Sequence, residues 1–208
     1  MNSSSLSKSW VVSTLAGNGE DGYADDVGTA AQFAAPFGVA VDSNDNIYVA
    51  DYSNHRIRII SSAGVVRTFA GGTAVFDSPH DVTVDSSGNV YLVDADNHRI
   101  RKITPAGMVS TFAGSGTQGY HNATGTEAQF YSPEGVAADS DGNVYVADSS
   151  NNRIQKITPT GTVSTLAGSG IRGSANNGYG YRWQRSSGAV LHTHRRGRGF
   201  IRQCLCGG

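Results

Sequence analysis

The chain has little cysteine, no long apolar run and no helical stripe. Its two cysteines, Cys204 and Cys206, stand one residue apart near the end of 208 residues, so the body of the protein has neither a disulfide framework nor a second thiol pair at zinc-site spacing. That absence leaves the compartment open, because an exported domain without disulfides and a cytosolic one look alike on this count. No stretch is apolar for long enough to span a bilayer as a helix. Met1 to Ser9 is polar and lacks the apolar centre of a secretion signal. The length fits one domain. The formal net charge is only −1, yet the C-terminal stretch is arginine-rich, and without it the remainder is clearly acidic. An acidic body argues against a nucleic-acid surface built on charge. Nowhere do apolar residues recur with the period of a helix face.

What the chain does have is repetition. A block of about 40 residues is written three times, starting at Phe33, Phe76 and Phe130. The first copy opens FAAPFGVAVDSNDNIYVADYSNHRIRII, the second FDSPHDVTVDSSGNVYLVDADNHRIRKI, the third FYSPEGVAADSDGNVYVADSSNNRIQKI. In the first copy, alternation of apolar and polar or small residues predicts four strands, at Gly38–Asp42, Asn46–Asp51, Arg56–Ser61 and Val65–Ala70. The first two strands are separated by DSNDN, DSSGN or DSDGN, whose short side chains favour turns. A repeated four-stranded antiparallel meander reads as the blade of an all-β propeller. Such a unit cannot bury its own apolar face, so the copies must stack. The expected layout is a disordered stretch over 1–9, an outer strand of an incomplete blade over 10–17, and a connecting loop over 18–32. Blades follow at 33–71, 76–114 and 130–168, with a connecting loop over 115–129 and an irregular tail over 169–208.

These copies resemble the NHL repeat. The resemblance rests on a Pro-x-Gly-Val-Ala-Val-Asp start, a Gly-Asn-Val-Tyr-Val-Ala-Asp centre and an Asn-x-Arg-Ile-x-x-Ile end, and it runs from Phe33 to Gly168. Copy two departs at Asp81, where the others have Gly38 and Gly135, and at Val93, where the others have Ala50 and Ala147. The resemblance implies a ring of about six blades, within the general range of about four to eight. Three complete blades cannot close such a ring. Trp10 to Gly17 matches Thr162 to Gly168, the outer strand of the third blade, so it is read as the outer strand of a blade whose other strands are missing.

The tail from Gly178 onward contains no repeat, although another Gln-Phe-x-x-Pro start is expected there. Arg202 to Gly208 can be encoded so that a one-base shift reads Gly-Asn-Val-Tyr-Val-Ala, the repeat centre seen from Gly142. Ala189 to His194 can be encoded so that the same shift reads Gln-Phe-Tyr-Thr-Pro, close to Gln129 to Pro133. We expect residues 178–208 to be out-of-frame text from a longer propeller gene. On that reading His192, His194, the Arg195–Arg198 run and Cys204-x-Cys206 carry no selected function.

Candidate polar sites fall into three groups. Asp-x-x-Asn-x-Arg recurs as Asp51, Asn54, Arg56, as Asp94, Asn97, Arg99, and as Asp148, Asn151, Arg153. Recurrence at equal offsets favours a structural turn, in which Asp accepts backbone N–H bonds, Asn takes the positive-φ position and Arg packs along a neighbouring blade. Asp139, Asp141 and Asn143 resemble the first part of a calcium loop. The later glutamate is missing, so a hairpin turn is the preferred reading. No metal and no cofactor is implied. The third group lies in the long connections, GNGEDGYADDVGTAAQF from Gly17 and GSGTQGYHNATGTEAQF from Gly114. Loops on a rigid scaffold are where recognition usually resides. Tyr23, Asp25, Asp26, Tyr120, His121 and Asn122 are therefore candidate contact residues, expected around the mouth of the channel. The alternative is that both tyrosines fold their loops against their own blades. Phe33, Phe76 and Phe130 are expected in the core.

The function that follows is a non-enzymatic interaction scaffold for a protein, peptide or glycan partner. A fragment of a hydrolase- or lyase-type propeller enzyme is one alternative and an RNA-binding propeller another. Open blade edges also predict self-association.

Overall fold

The computed structural model describes residues 11–72 and 75–172, together with the backbone of three strands between residues 184 and 204. Each repeat copy forms one sheet. The first holds β1 (Pro36–Val41), β2 (Ile47–Asp51), β3 (Arg56–Ile60) and β4 (Val66–Gly71). The second holds β5 (Pro79–Val84), β6 (Val90–Asp94), β7 (Arg99–Ile103) and β8 (Val109–Ala113). The third holds β9 (Gly135–Ala138), β10 (Val144–Asp148), β11 (Arg153–Ile157) and β12 (Val163–Ala167). In every sheet the spatial order is the chain order and each pair is antiparallel, so each blade is a meander. The fold is an open, partial propeller. Strand limits fall within two residues of those expected for the first copy.

Local chemistry explains why the meander forms. In the β1–β2 turn one Asp42 oxygen accepts the N–H groups of Asn44 and Asn46, and the other accepts Asn46 Nδ2 at 2.9 Å. Asp85 and Asp139 repeat these bonds. The turn needs one left-handed residue, supplied by Gly88 and Gly142 at φ 76 and 77° and, less comfortably, by Asp45 at 60°. A register shift interrupts β3–β4, β7–β8 and β11–β12 at the same offset, just before Arg58, Arg101 and Gln155.

The blades stack through apolar faces. Tyr48, Ala50 and Ile57 of the first blade pack against Val82, Val90, Leu92 and Ile103 of the second. Tyr91, Val93 and Ile100 of the second meet Val136, Val144, Val146 and Ile157 of the third. Each blade thus has a leading face, which receives the previous blade, and a trailing face, which enters the next. Phe76 and Phe130 are buried at the blade junctions, whereas Phe33, on the leading face of the first blade, is only half-buried. The innermost strands β1, β5 and β9 lie side by side.

Residues 11–16 form no ladder; Val11 and Val12 are 86% and 97% exposed. An outer strand needs a third strand to pair with, and among the described residues none lies beside this segment. The segment is nevertheless held at its end like the other outer strands: Gly17 N–H donates to Gly28 O at 3.1 Å, as Gly114 N–H donates to Gly125 O at 3.0 Å. Beyond the third blade, Gln184–Ser186, Ala189–Arg196 and Gly199–Cys204 (β13 to β15) make a separate three-stranded antiparallel sheet. The expectations for residues 1–9, and for the His, Arg and Cys side chains of the tail, lie outside the described residues.

Candidate functional site

The Asp-x-x-Asn-x-Arg unit closes the β2–β3 turn and ties each blade to its own entry. Asp51 Oδ1 accepts Ala34 N–H and Oδ2 accepts Asn54 Nδ2, at 2.8 and 2.9 Å. Asp94 accepts Asp77 N–H and Asn97 Nδ2, and Asp148 accepts Tyr131 N–H and Asn151 Nδ2. Two details differ from expectation. The positive φ falls one residue later, on His55, His98 and Asn152, at 51 to 53°. The reason is local: this residue closes the tight turn, with His55, His98 and Asn152 donating their N–H groups to Tyr52 O, Ala95 O and Ser149 O at 3.0 to 3.1 Å. In the first two blades the same conformation also aims the imidazole at the next blade, where His55 Nδ1 accepts Ser78 N–H and His98 Nδ1 accepts Ser132 N–H, at 3.1 and 3.3 Å. The arginine also stays with its own blade. Arg56 donates to Asn54 O, Arg99 to Ser115 O, and Arg153 to Asn151 O and Ser169 O.

The buried partner of the aspartate is instead the residue seven positions on. Arg58 and Asp51 are both fully buried and joined at 2.8 Å, and Arg58 also donates to Ala24 O, Gln32 O and the Asp25 carboxylate. Arg101 meets Asp94 at 2.8 Å and Val75 O at 2.9 Å. In the third blade the residue is Gln155, whose amide donates to Asp148 at 3.4 Å. Burial raises the Asp148 carboxyl above the usual carboxylate range, against the lowering effect of its hydrogen bonds from Tyr131, Asn151 and Gln155.

The loop candidates lie against the outer strands of their own blades. Tyr23 Oη bonds Thr68 Oγ1, and the Arg56 guanidinium sits 4.2 Å over its ring. Asp25 accepts Thr68 N–H besides its pairing with Arg58, and Asp26 accepts Val27 N–H. Tyr120 bonds Thr165 Oγ1 beneath Arg153, whose guanidinium is 3.7 Å from the ring centre. His121 meets Glu127 O, and Asn122 donates to Thr165 and Tyr120. Both tyrosines keep an exposed edge, but their polar atoms anchor the loops. In the third β-turn both Asp139 oxygens accept N–H or O–H donors from Asp141, Asn143 and Tyr145, which is the geometry of a hairpin turn. Burial works to raise the Asp139 carboxyl, and the hydrogen bonds from Asn143, Tyr145 and Asp141 more than offset it, so it lies below the usual range. Among the described residues no group of three His, Cys, Asp or Glu side chains could hold a metal ion.

A different region gathers non-repeating side chains around an open hollow. Where the first turns of the innermost strands converge, a cavity of about 430 Å³ is lined by Phe37, His80, Asp81, Glu134 and Ser149, with Gly38, Val39, Gly135 and Ala147 forming its backbone wall. None of the loop candidates lines it. Phe37, 55% exposed, packs on His80 with ring centres 4.5 Å apart and on Tyr52 at 5.0 Å. Tyr52 meets His80 edge-on at 5.7 Å. Asp81 is structural: its oxygens accept the N–H groups of Val82 and, across the blade junction, Val136. It leaves no room for a side chain opposite, since a Cβ on Gly38 would fall 2.3 Å from Asp81 Oδ1. Glu134 stands exposed on the same rim. The result is an aromatic platform beside a carboxylate and a hydroxyl, a combination suited to stacking plus hydrogen bonding.

The model of the NHL repeat matches residues 33–60, 76–103 and 130–157, the β1–β3, β5–β7 and β9–β11 spans with their entry segments. This chain carries three NHL repeats. Among curated proteins none is significantly similar to it. The structure resembles an auxiliary nutrient binding protein from Bacteroides ovatus ATCC 8483, with 17% identity, a TM-score of 0.58, and 71% of this chain matched to 43% of that one. It also resembles a protein of unknown function from Bacteroides thetaiotaomicron VPI-5482, at 24% identity and a TM-score of 0.60, covering 76% and 44% of the two chains. A streptogramin B lyase is similar at 18% identity and a TM-score of 0.50, over 76% and 47%. At these identities the likeness shows the fold alone. The chain spans less than half the length of these three structures.

Within the NHL repeats, the platform sits where the copies disagree. Phe37, His80 and Glu134 share one offset, and Tyr52, Ala95 and Ser149 another. A repeat conserves what every blade needs for folding, so divergence at two offsets that converge on one cavity was the sequence signal for it. Buried Arg58 and Gln155, and the partly buried Arg101, were missed because they lie past the turn motif, on the next strand.

Proposed function

We propose that this NHL-repeat chain is an interaction module without a reaction of its own, presenting a recognition surface to a protein, peptide or glycan partner. The observation that carries the reading is the platform beside the cavity of the innermost strands, where exposed Phe37 packs on half-buried Tyr52 and His80. The repeated Asp, Asn and Arg groups are engaged in holding turns and loops, which leaves the non-repeating cavity residues as the groups available for recognition. Stacking on Phe37, with the Glu134 carboxylate accepting and the Ser149 hydroxyl accepting or donating hydrogen bonds, suits the apolar face and hydroxyl edge of a sugar ring or the aromatic and amide groups of a peptide. The likeness to an auxiliary nutrient binding protein is in keeping with this reading.

Glycan and peptide arrays probed with the full chain test the proposal, with binders re-measured by titration calorimetry with and without a chelator. Phe37→Ala is expected to weaken a true binder by about 10-fold or more, as removal of a central aromatic anchor does. Binding that ignores Phe37→Ala would move recognition elsewhere. Chemical conversion of a bound probe would refute the non-enzymatic reading.

A further inference from the structure

We propose that two copies of this chain join head to tail into one closed six-bladed ring, the trailing face of each third blade entering the leading face of the other copy's first blade. The two open faces are the halves of an interface that the chain already builds twice. On the leading side, Val82 and Val136 are 0% and 5% exposed where a blade precedes them, whereas the equivalent Val39 is 53% exposed. On the trailing side, Ile57 and Ile100 are fully buried, whereas the equivalent Ile154 is half-buried, and Leu166, at the offset of Phe69 and Phe112, is 45% exposed. Part of the leading face is already covered within the chain, since Val49 and Ile60 are 5% and 6% exposed and pack with Ala16, Ala31 and Phe33, so a preceding blade would add cover chiefly over Val39 and Phe33. Faces of this kind are self-complementary only head to tail, and two such contacts related by a two-fold axis close without leaving an edge.

A second feature points to the same junction. Inside the chain, each blade boundary is clipped by a left-handed residue after β2, β6 whose imidazole accepts the N–H of a left-handed residue just before the next blade's proline: His55 to Ser78 and His98 to Ser132. At the proposed boundary these positions are Asn152 and Ala35. Both hold the same conformation, at φ 52 and 46°, against 51 to 53° for the histidines and 44 to 53° for the serines. Asn152 has a side-chain carbonyl that can accept the Ala35 N–H as the imidazole does. Six blades also fall within the usual range of about four to eight. Residues 11–16 match the outer strand β12 in sequence and make no ladder bond; only Ala16 packs against the first blade's core, so docking displaces the segment ahead of it. Closure matters for recognition because β1, β5 and β9 wall the cavity on one side, and the second copy supplies the opposite wall.

Sedimentation velocity and light scattering of the full chain should give twice the 21.7 kDa chain mass. Val39→Asp and Leu166→Asp each damage one face at a side chain exposed in the single chain, so folding, checked by circular dichroism, should persist. Each variant alone should weaken association by about 100-fold or more through a buried unpaired carboxylate. Mixing the two variants should restore dimers, because one of the two junctions in the mixed pair is then intact. A chain starting at Gly17 should associate at least as well as the full chain. A monomer, a ladder of ever larger species, an effect of Val39→Asp without one of Leu166→Asp, or loss of association on removing residues 11–16 would each overturn the proposal.

Discussion

Arg58 offers the sharpest test of how the blades are held together. It is the largest fully buried side chain among the described residues, and it gathers Asp51, Asp25 and the carbonyls of Ala24 and Gln32 around one guanidinium. Arg58→Ala leaves Asp51 buried with only Ala34 N–H and Asn54 Nδ2 for company, and the carbonyls of Ala24 and Gln32 each lose one donor and keep the other's backbone N–H. Breaking a buried pair in this way costs about 3–5 kcal/mol. For a chain of this size that corresponds to a fall in melting midpoint of about 6–20 °C. Arg101→Ala removes fewer bonds from a side chain that is 13% exposed and should cost less, about 2–3 kcal/mol. Gln155→Ala removes a neutral partner and should cost about 1 kcal/mol. Urea and thermal unfolding followed by circular dichroism give the three values on one scale. Loop exchange adds an independent readout: only Arg58→Ala should speed hydrogen exchange over residues 22–28, because only Arg58 reaches into the 18–32 connection. A loss below about 1 kcal/mol for Arg58→Ala, or the order reversed, would refute the reasoning.

Three further outcomes follow from the same physics. Gln155→Arg together with Asn122→Asp transplants the first blade's charged cluster into the third, and a double-mutant cycle should show a favourable coupling of about 1 kcal/mol or more, with either single change worse than the pair. Burial, aided by Asp85, pushes the Tyr91 hydroxyl up to about 12 from 10.0. Its folded pKa therefore exceeds the unfolded one, so the stability it contributes is complete below pH 10 and is lost as pH rises through about 12; Tyr91→Phe should flatten that alkaline loss in urea titrations. Gly38→Ala should destabilise by about 2 kcal/mol or more through overlap with Asp81, a clash of space and not of backbone conformation. Tolerance of alanine there, seen as an unchanged midpoint, would mean that β1 and β5 are not so closely apposed.

The three-fold copy made the blades legible in advance. Four strands per repeat, the Asp-led turns, the burial of Phe76 and Phe130 and the tying role of Asp51, Asp94 and Asp148 are all local or periodic, and a pattern repeated at fixed offsets averages away accident. Less was legible where contacts join distant parts of the chain. The left-handed residue was expected at Asn54 and falls at His55, which closes the turn with its N–H on Tyr52 O and also turns its imidazole to a partner in the next blade. Arg56 looked like the important arginine because it belongs to the visible motif, while Arg58 is the one that is buried. Its partners Asp25 and Asp51 lie 33 and 7 residues away. Even so, the exchange of Asp25 and Arg58 for Asn122 and Gln155 in the third blade left a trace of that contact in the text.

The sequence by itself determined the unit: what one blade is, where its turns fall, and that three blades leave two faces open. Those follow from side-chain period and turn chemistry, which act over a few residues. Only the tertiary structure decided which polar groups hold the scaffold and which stand clear of it. It seated Tyr23 and Tyr120 on their own blades and brought Phe37, Tyr52 and His80 together on one rim. That outcome depends on how inner strands from different copies converge, a through-space relation that no spacing along the chain encodes.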